Sequence, residues 1–158
     1  MELSDLDRVV AIERESFSEP WAKSCFEYEI LILEASELTV AELGDEVVGY
    51  TVAWFLSDEV HLANVAVQRK YRGKGIGRAL VEAVISRAVQ VEAERVVLEV
   101  RRSNVEAQRL YESLGFVRVG VRKNYYVKEK EDAILMACDL RYSDGGLGGP
   151  GGRSGRPA

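Results

Sequence analysis

Arg72-Gly73-Lys74-Gly75-Ile76-Gly77 is the stretch on which the reading turns. Before it, Leu62-Ala63-Asn64-Val65-Ala66-Val67 ends a run that reads as a strand. After it, Ile76, Leu80, Val84 and Ala88 recur at helical spacing, the inner stripe of a long amphipathic helix. A glycine-rich turn between a strand and a helix is a ready anion site. Missing side chains let phosphate oxygens reach backbone N–H groups, and the helix N-terminus adds positive potential. Arg72, Lys74 and Arg78 concentrate positive charge there in a chain of net charge -5. The bland alternative is a tight turn that only starts a helix. Three alternating glycines and three basic residues are more than that requires.

Working outward, Ser4 is placed to cap a first helix with Leu6, Val9, Val10 and Phe17 near helical spacing. Asp7, Arg8, Glu13 and Arg14 fall on its other faces. Pro20 suits the first turn of a second helix carrying Phe26, Ile30 and Leu33. The period then shifts to strands at Leu38–Leu43 and Val47–Leu56, joined by Gly44-Asp45-Glu46, and at Val60–Val67. Beyond the third helix come a strand at Arg95–Arg101 and a helix from Ser103-Asn104 to Leu114. Gly115 sits where a left-handed terminator belongs, which would let Phe116 pack back on Tyr111. Strands at Phe116–Lys123 and Ala133–Leu140 complete the pattern. Strand, crossover helix and strand imply local parallel pairing, and hairpins elsewhere make the sheet mixed. The expectation is an α/β (α+β) fold, a mixed central β-sheet flanked by helices on both faces. It occupies residues 1–142, and the glycine-rich segment 143–158, with half of the 14 glycines, reads as a disordered tail.

Composition limits the partners. An acidic balance argues against general nucleic-acid binding, which needs massed Lys and Arg. No uncharged apolar run approaches the roughly 18 residues of a membrane span, and the N-terminus lacks a signal layout, so the chain reads as cytoplasmic. Cys25 and Cys138 lie in apolar stretches, fit no metal spacing and read as buried thiols; no metal site is expected.

The turn is neither a nucleotide P-loop, because Ile76 follows Gly75, nor a dinucleotide fingerprint, because Arg78 stands where a third glycine belongs. What fits is Arg-x-x-Gly-x-Gly, at Arg72, Gly75 and Gly77. Leu98-Glu99-Val100-Arg101, Ser103-Asn104 and Leu110-Tyr111-Glu112-Ser113-Leu114-Gly115-Phe116 fit alongside it. With these motifs, residues 1 to 140 resemble the GNAT superfamily of acetyltransferases, and Asn124-Tyr125-Tyr126 before Glu131-Asp132-Ala133 resembles its RimI-like group. The resemblance implies acetyl-CoA held at splayed parallel strands. The backbone of Val65, Ala66 and Val67 would pair with the pantetheine arm. The amides of Gly73, Lys74, Gly75, Ile76, Gly77 and Arg78, beside Arg72, would hold the pyrophosphate, and Asn104 would lie near the thioester. It further implies a protein N-terminus as substrate, of a ribosomal or another protein.

Acetyl transfer to an amine needs a base for the ammonium and an acid for the departing thiolate. Alternation in Val96–Val100 puts Glu99 opposite Leu98 and Val100. The residues alone leave two readings open: a desolvated base of raised proton affinity, or a strand carboxylate facing solvent or an arginine. The resemblance favours the base, and it favours Tyr111 as the acid over a purely packing aromatic. Tyr125 and Tyr126 would clamp the substrate backbone or simply edge a strand, with Trp21 on the opposing wall. His61 reads as strand-edge hydrogen bonding, apart from both motifs in sequence. An acetyltransferase for small amines or lysine side chains, and a non-catalytic acetyl-CoA-binding module, are the alternatives. Retention of Glu99 and Tyr111 argues against the module.

Overall fold

The computed structural model describes residues 1–141; the glycine-rich segment 143–158 lies outside the described residues. The strands are β1 (Ser36–Leu43), β2 (Glu46–Leu56), β3 (Glu59–Val67), β4 (Arg95–Arg101), β5 (Val117–Tyr126) and β6 (Glu131–Asp139). They form one sheet in the order β1-β2-β3-β4-β6-β5. Only β3 and β4 are parallel, and they pair over just three residues, ending at His61 opposite Val97. Beyond that point each strand stays bonded to its other neighbour, β3 to β2 and β4 to β6. The sheet therefore opens as a wedge in its middle.

A bulge in β3 accompanies the wedge. Val52 pairs with Asn64 and Ala53 with Leu62, leaving Ala63 extra. Val60 and Leu62 point into one core, whereas after the bulge Ala66 points into the other. One inserted residue thus reverses which face each side chain serves.

The helices are α1 (Leu6–Ser16), α2 (Lys23–Leu31), α3 (Ile76–Gln90) and α4 (Val105–Ser113). α1 and α2 cover one face, burying Leu6, Val9, Val10, Ile12 and Phe26 against Tyr50 and Val52. α3 and α4 cover the other, where Val81, Val84, Ala88, Tyr111 and Phe116 meet Leu62, Val96, Leu98 and Met136. Full burial of each Val, Leu, Ile, Phe or Met side chain among them contributes about 1.5–3 kcal/mol. Asn104 caps α4 by accepting the Ala107 N–H at 3.1 Å, and Gly115 ends it at φ +93° with Phe116 5.7 Å from Tyr111.

Three local expectations change. Ser4 does not cap α1; it lies in a short 3₁₀ turn, Leu3–Asp5, closed by the Glu2 N–H donating to the Asp5 carboxylate at 2.7 Å. Pro20 is outside α2, which starts at Lys23, because the segment before it is held by Glu13 through the Trp21 N–H. Cys25 is exposed on α2, while Cys138 is buried.

Candidate active site

The turn after β3 reaches α3 through two left-handed glycines, Gly73 at φ +73° and Gly75, the α3 cap, at φ +84°. A turn alone accounts for both. Gly77 is different: it is helical, and a Cβ there would make only ordinary contacts at 3.7 Å with Leu110 and Val67. Glycine in a helix costs about 1 kcal/mol relative to alanine, and nothing in the packing asks for it. Its bare backbone faces a cavity of about 460 Å³ running along the wedge.

That cavity is lined by Val65, Ala66 and Val67 from β3, by Arg72, Gly73 and Gly75 from the turn, by Gly77 and Arg78 from the start of α3, and by Tyr111 of α4 and its cap Asn104. Lys74 and Ile76 belong to the turn but are not among the lining residues, and the Lys74 ammonium lies 5.4 Å over the Tyr71 ring. Arg72 donates to the Val67 carbonyl at 2.9 Å and to the Ser16 hydroxyl at 3.0 Å; Arg78 donates to Ser113 at 2.6 Å. Both arginines line the cavity while bonded to its walls.

A second cavity of about 310 Å³ meets the first, sharing Phe17, Val65, Asn104 and Tyr111. It holds Glu99, Trp21, Tyr125 and Tyr126. Tyr111 thus stands where the two join. Burial, and then Tyr126, push its phenol well above the ordinary value, so it remains a proton-bearing donor. Burial likewise pushes Tyr126 up to about 12, against the opposing charge of Arg101, whose guanidinium lies 3.9 Å over its ring. Tyr125 and Tyr126 end β5, next to the turn that leads into β6, and they stack edge-on at 5.2 Å.

Two expectations about the acid–base pair are corrected. His61 is not at a strand edge. It sits in an interior strand, and its Nε2 is 2.5 Å from Glu99 Oε2. The parallel register explains this, since Val97 lies beside His61 and Glu99 is two residues further along the same face. Glu99 does not have raised proton affinity. The His61 hydrogen bond outweighs desolvation and, with the charges of His61 and Arg122, holds the carboxyl below its ordinary range. Arg122 approaches Glu99 at 3.4 Å.

Two further groups in this cavity were not singled out from sequence. Glu13 is fully buried, not on an outer face of α1; the spacing Leu6, Val9, Val10, Glu13 sets it on the apolar stripe. Arg101 joins two loops: it lies 3.3 Å from Glu129, to which Ser18 also donates.

The description Acetyltransferase (GNAT) family matches residues 6–116, more than half of the chain. The chain belongs to this family. An N-alpha-acetyltransferase of Sulfurisphaera tokodaii is 38% identical over 151 residues, covering 87% of this chain and 89% of that one. The [ribosomal protein bS18]-alanine N-acetyltransferase of Haemophilus influenzae is 33% identical over 147 residues, covering 89% and 96%. The crystal structure of the ribosomal-protein-S18-alanine N-acetyltransferase from Escherichia coli superposes with a TM-score of 0.82 at 32% identity, covering 93% of this chain and 95% of that one.

GNAT acetyltransferases draw their acetyl group from acetyl-CoA. The larger cavity fits such a ligand: a long groove, a free strand edge along one side, and bare glycine backbone with two arginines at one end. No helix among the described residues is long and apolar enough to cross a membrane.

Proposed function

We propose that the chain acetylates the N-terminal α-amino group of a protein, a ribosomal protein or another. The observation that carries this is the junction at Tyr111, where the groove suited to acetyl-CoA opens onto a pocket holding the His61–Glu99 pair. Acetyl-CoA supplies the activated acetyl group. Val65–Val67 would hold its pantetheine arm, the turn from Gly73 to Arg78 with Arg72 would hold its diphosphate, and Asn104 would lie near the thioester end.

An α-ammonium group titrates near 7.7–8.0 and must lose a proton before it attacks. A lone carboxylate held below its ordinary range is a poor match for that proton. Coupled to a neutral imidazole, it forms a usable acceptor: His61 takes up the proton, directly or through a water, and the adjacent Glu99 carboxylate stabilises the imidazolium. On the other side, Tyr111 donates to the sulfur that leaves. Base and acid thus serve opposite ends of one transfer.

The pocket mouth favours a chain end over an internal lysine. Ser18, from the segment between α1 and α2, donates to Glu129 in the β5–β6 turn, and the Lys128 ammonium donates to the Ser18 carbonyl at 3.4 Å. The two loops are joined beside the pocket, which Trp21, Tyr125 and Tyr126 line. A free N-terminus can thread such a mouth, whereas a lysine flanked by chain on both sides meets the strap. The test is thiol release with peptides differing in residues one to four, beside N-blocked lysine peptides. Activity on free N-termini is expected; activity confined to blocked lysine peptides would overturn the reading.

A further inference from the structure

The geometry points to Glu13 as the positioning residue of the peptide site: a buried carboxylate that hangs the segment between α1 and α2 on the bulge of β3. This rests on the smaller cavity being the peptide's. Glu13 is 1% exposed and receives donors from three separate elements. The Trp21 backbone N–H donates to Oε1 at 2.8 Å, the Asn64 amide donates to Oε2 at 3.1 Å, and the Tyr50 hydroxyl also donates to Oε2. Burial pushes the Tyr50 phenol well above its ordinary value, which keeps it a donor.

A buried carboxylate is costly unless fully paired, and the apolar stripe of α1 would take a leucine at this position without that cost. What the charge provides is a link between parts that the sheet does not connect. Trp21 is in an irregular segment and carries the pocket wall, its ring 5.4 Å from Phe26. Asn64 directly follows the bulge residue Ala63 and precedes Val65, which lines both cavities. One carboxylate therefore sets the distance between the wall that receives the peptide and the strand edge that receives the acyl donor. All three of its bonds go to groups of the protein itself, and its role is to position these parts.

The test compares Glu13→Gln with Glu13→Ala. Three quantities are measured: peptide KM and kcat at saturating acetyl-CoA, acetyl-CoA affinity by calorimetry, and hydrogen exchange of the Trp21 amide. Glutamine keeps an acceptor for Trp21 and a partner for Tyr50; alanine removes all three bonds. Glu13→Ala should raise peptide KM about tenfold, with acetyl-CoA affinity changed less than about threefold and Trp21 protection lost, while Glu13→Gln restores most of each. A folded Glu13→Ala protein with normal peptide KM, or equal losses for both substrates, would overturn the assignment. If Glu13→Ala does not fold, Tyr50→Phe removes one donor with little change of shape. It should raise peptide KM roughly threefold and speed Trp21 exchange, and unchanged values would overturn the assignment. A wild-type protein inactive on every N-terminal peptide refutes the functional reading instead, and Trp21 exchange still reports the clamp.

Discussion

Glu99→Gln is the perturbation that separates a working acid–base pair from a structural one. Gln keeps the shape of a side chain that is only 8% exposed but removes the charge. His61 then loses an anionic partner at 2.5 Å. A hydrogen bond to a charged group is worth about 1.5–3 kcal/mol, so losing that support slows turnover by roughly 10- to 150-fold. Removing a positioned base altogether costs roughly 10²–10⁴. The expected loss in kcat for Glu99→Gln is therefore about 10²-fold or somewhat more. His61→Ala should cost a similar factor. Because the two act as a unit, the double variant should be worse than either single by less than about tenfold. The assay is thiol release from saturating acetyl-CoA with a free N-terminal peptide, with acetyl-CoA affinity measured separately and expected to stay near normal. Turnover of Glu99→Gln within about threefold of wild type, or single losses that multiply in the double variant, would refute the pair.

Gly77→Ala should leave thermal stability unchanged or slightly raised, because alanine is favoured in a helix by about 1 kcal/mol. It should weaken acetyl-CoA binding about tenfold, measured by calorimetry, since the new methyl enters the groove. Tyr111→Phe keeps the ring contact with Phe116 and should retain stability while lowering kcat roughly 10²-fold. Asn104→Ala removes the α4 cap and should cost about 1 kcal/mol in urea unfolding. The Glu99 carboxyl is held below its ordinary value of 4.5, chiefly by the His61 hydrogen bond. Its contribution to stability is thus full above that value and fades as pH falls through the lowered one. The stability gap between wild type and Glu99→Gln should accordingly narrow as pH drops below 4.5, as followed by urea midpoints.

The strands, the α3 stripe and the Asn104 and Gly115 signals at the ends of α4 were legible because each is a local pattern. The glycine turn was legible for the same reason, although only the dihedral angles show that Gly73 and Gly75 serve the turn while Gly77 does not. His61 was misplaced because its partnership with Glu99 depends on parallel register, and 38 residues separate the two in sequence. The direction of the Glu99 shift followed from the same gap, since desolvation can be guessed from alternation but an unseen partner cannot. The β3 bulge leaves no mark in a run of small and β-branched residues, yet it decides which side chains face which cavity. Glu13 was the avoidable omission. Its i, i+3, i+4, i+7 relation to Leu6, Val9 and Val10 sets an acid on a buried stripe, and that conflict was readable from sequence.

The most direct measurement is a crystal structure with a CoA–peptide conjugate, its acetyl linkage occupying the place of the transferring group. The sulfur should lie within hydrogen-bonding reach of the Tyr111 hydroxyl, at the longer separation that a sulfur acceptor requires, with the peptide nitrogen on the His61–Glu99 side, at most one water away. A linkage seated beyond contact of both would contradict the transfer described here.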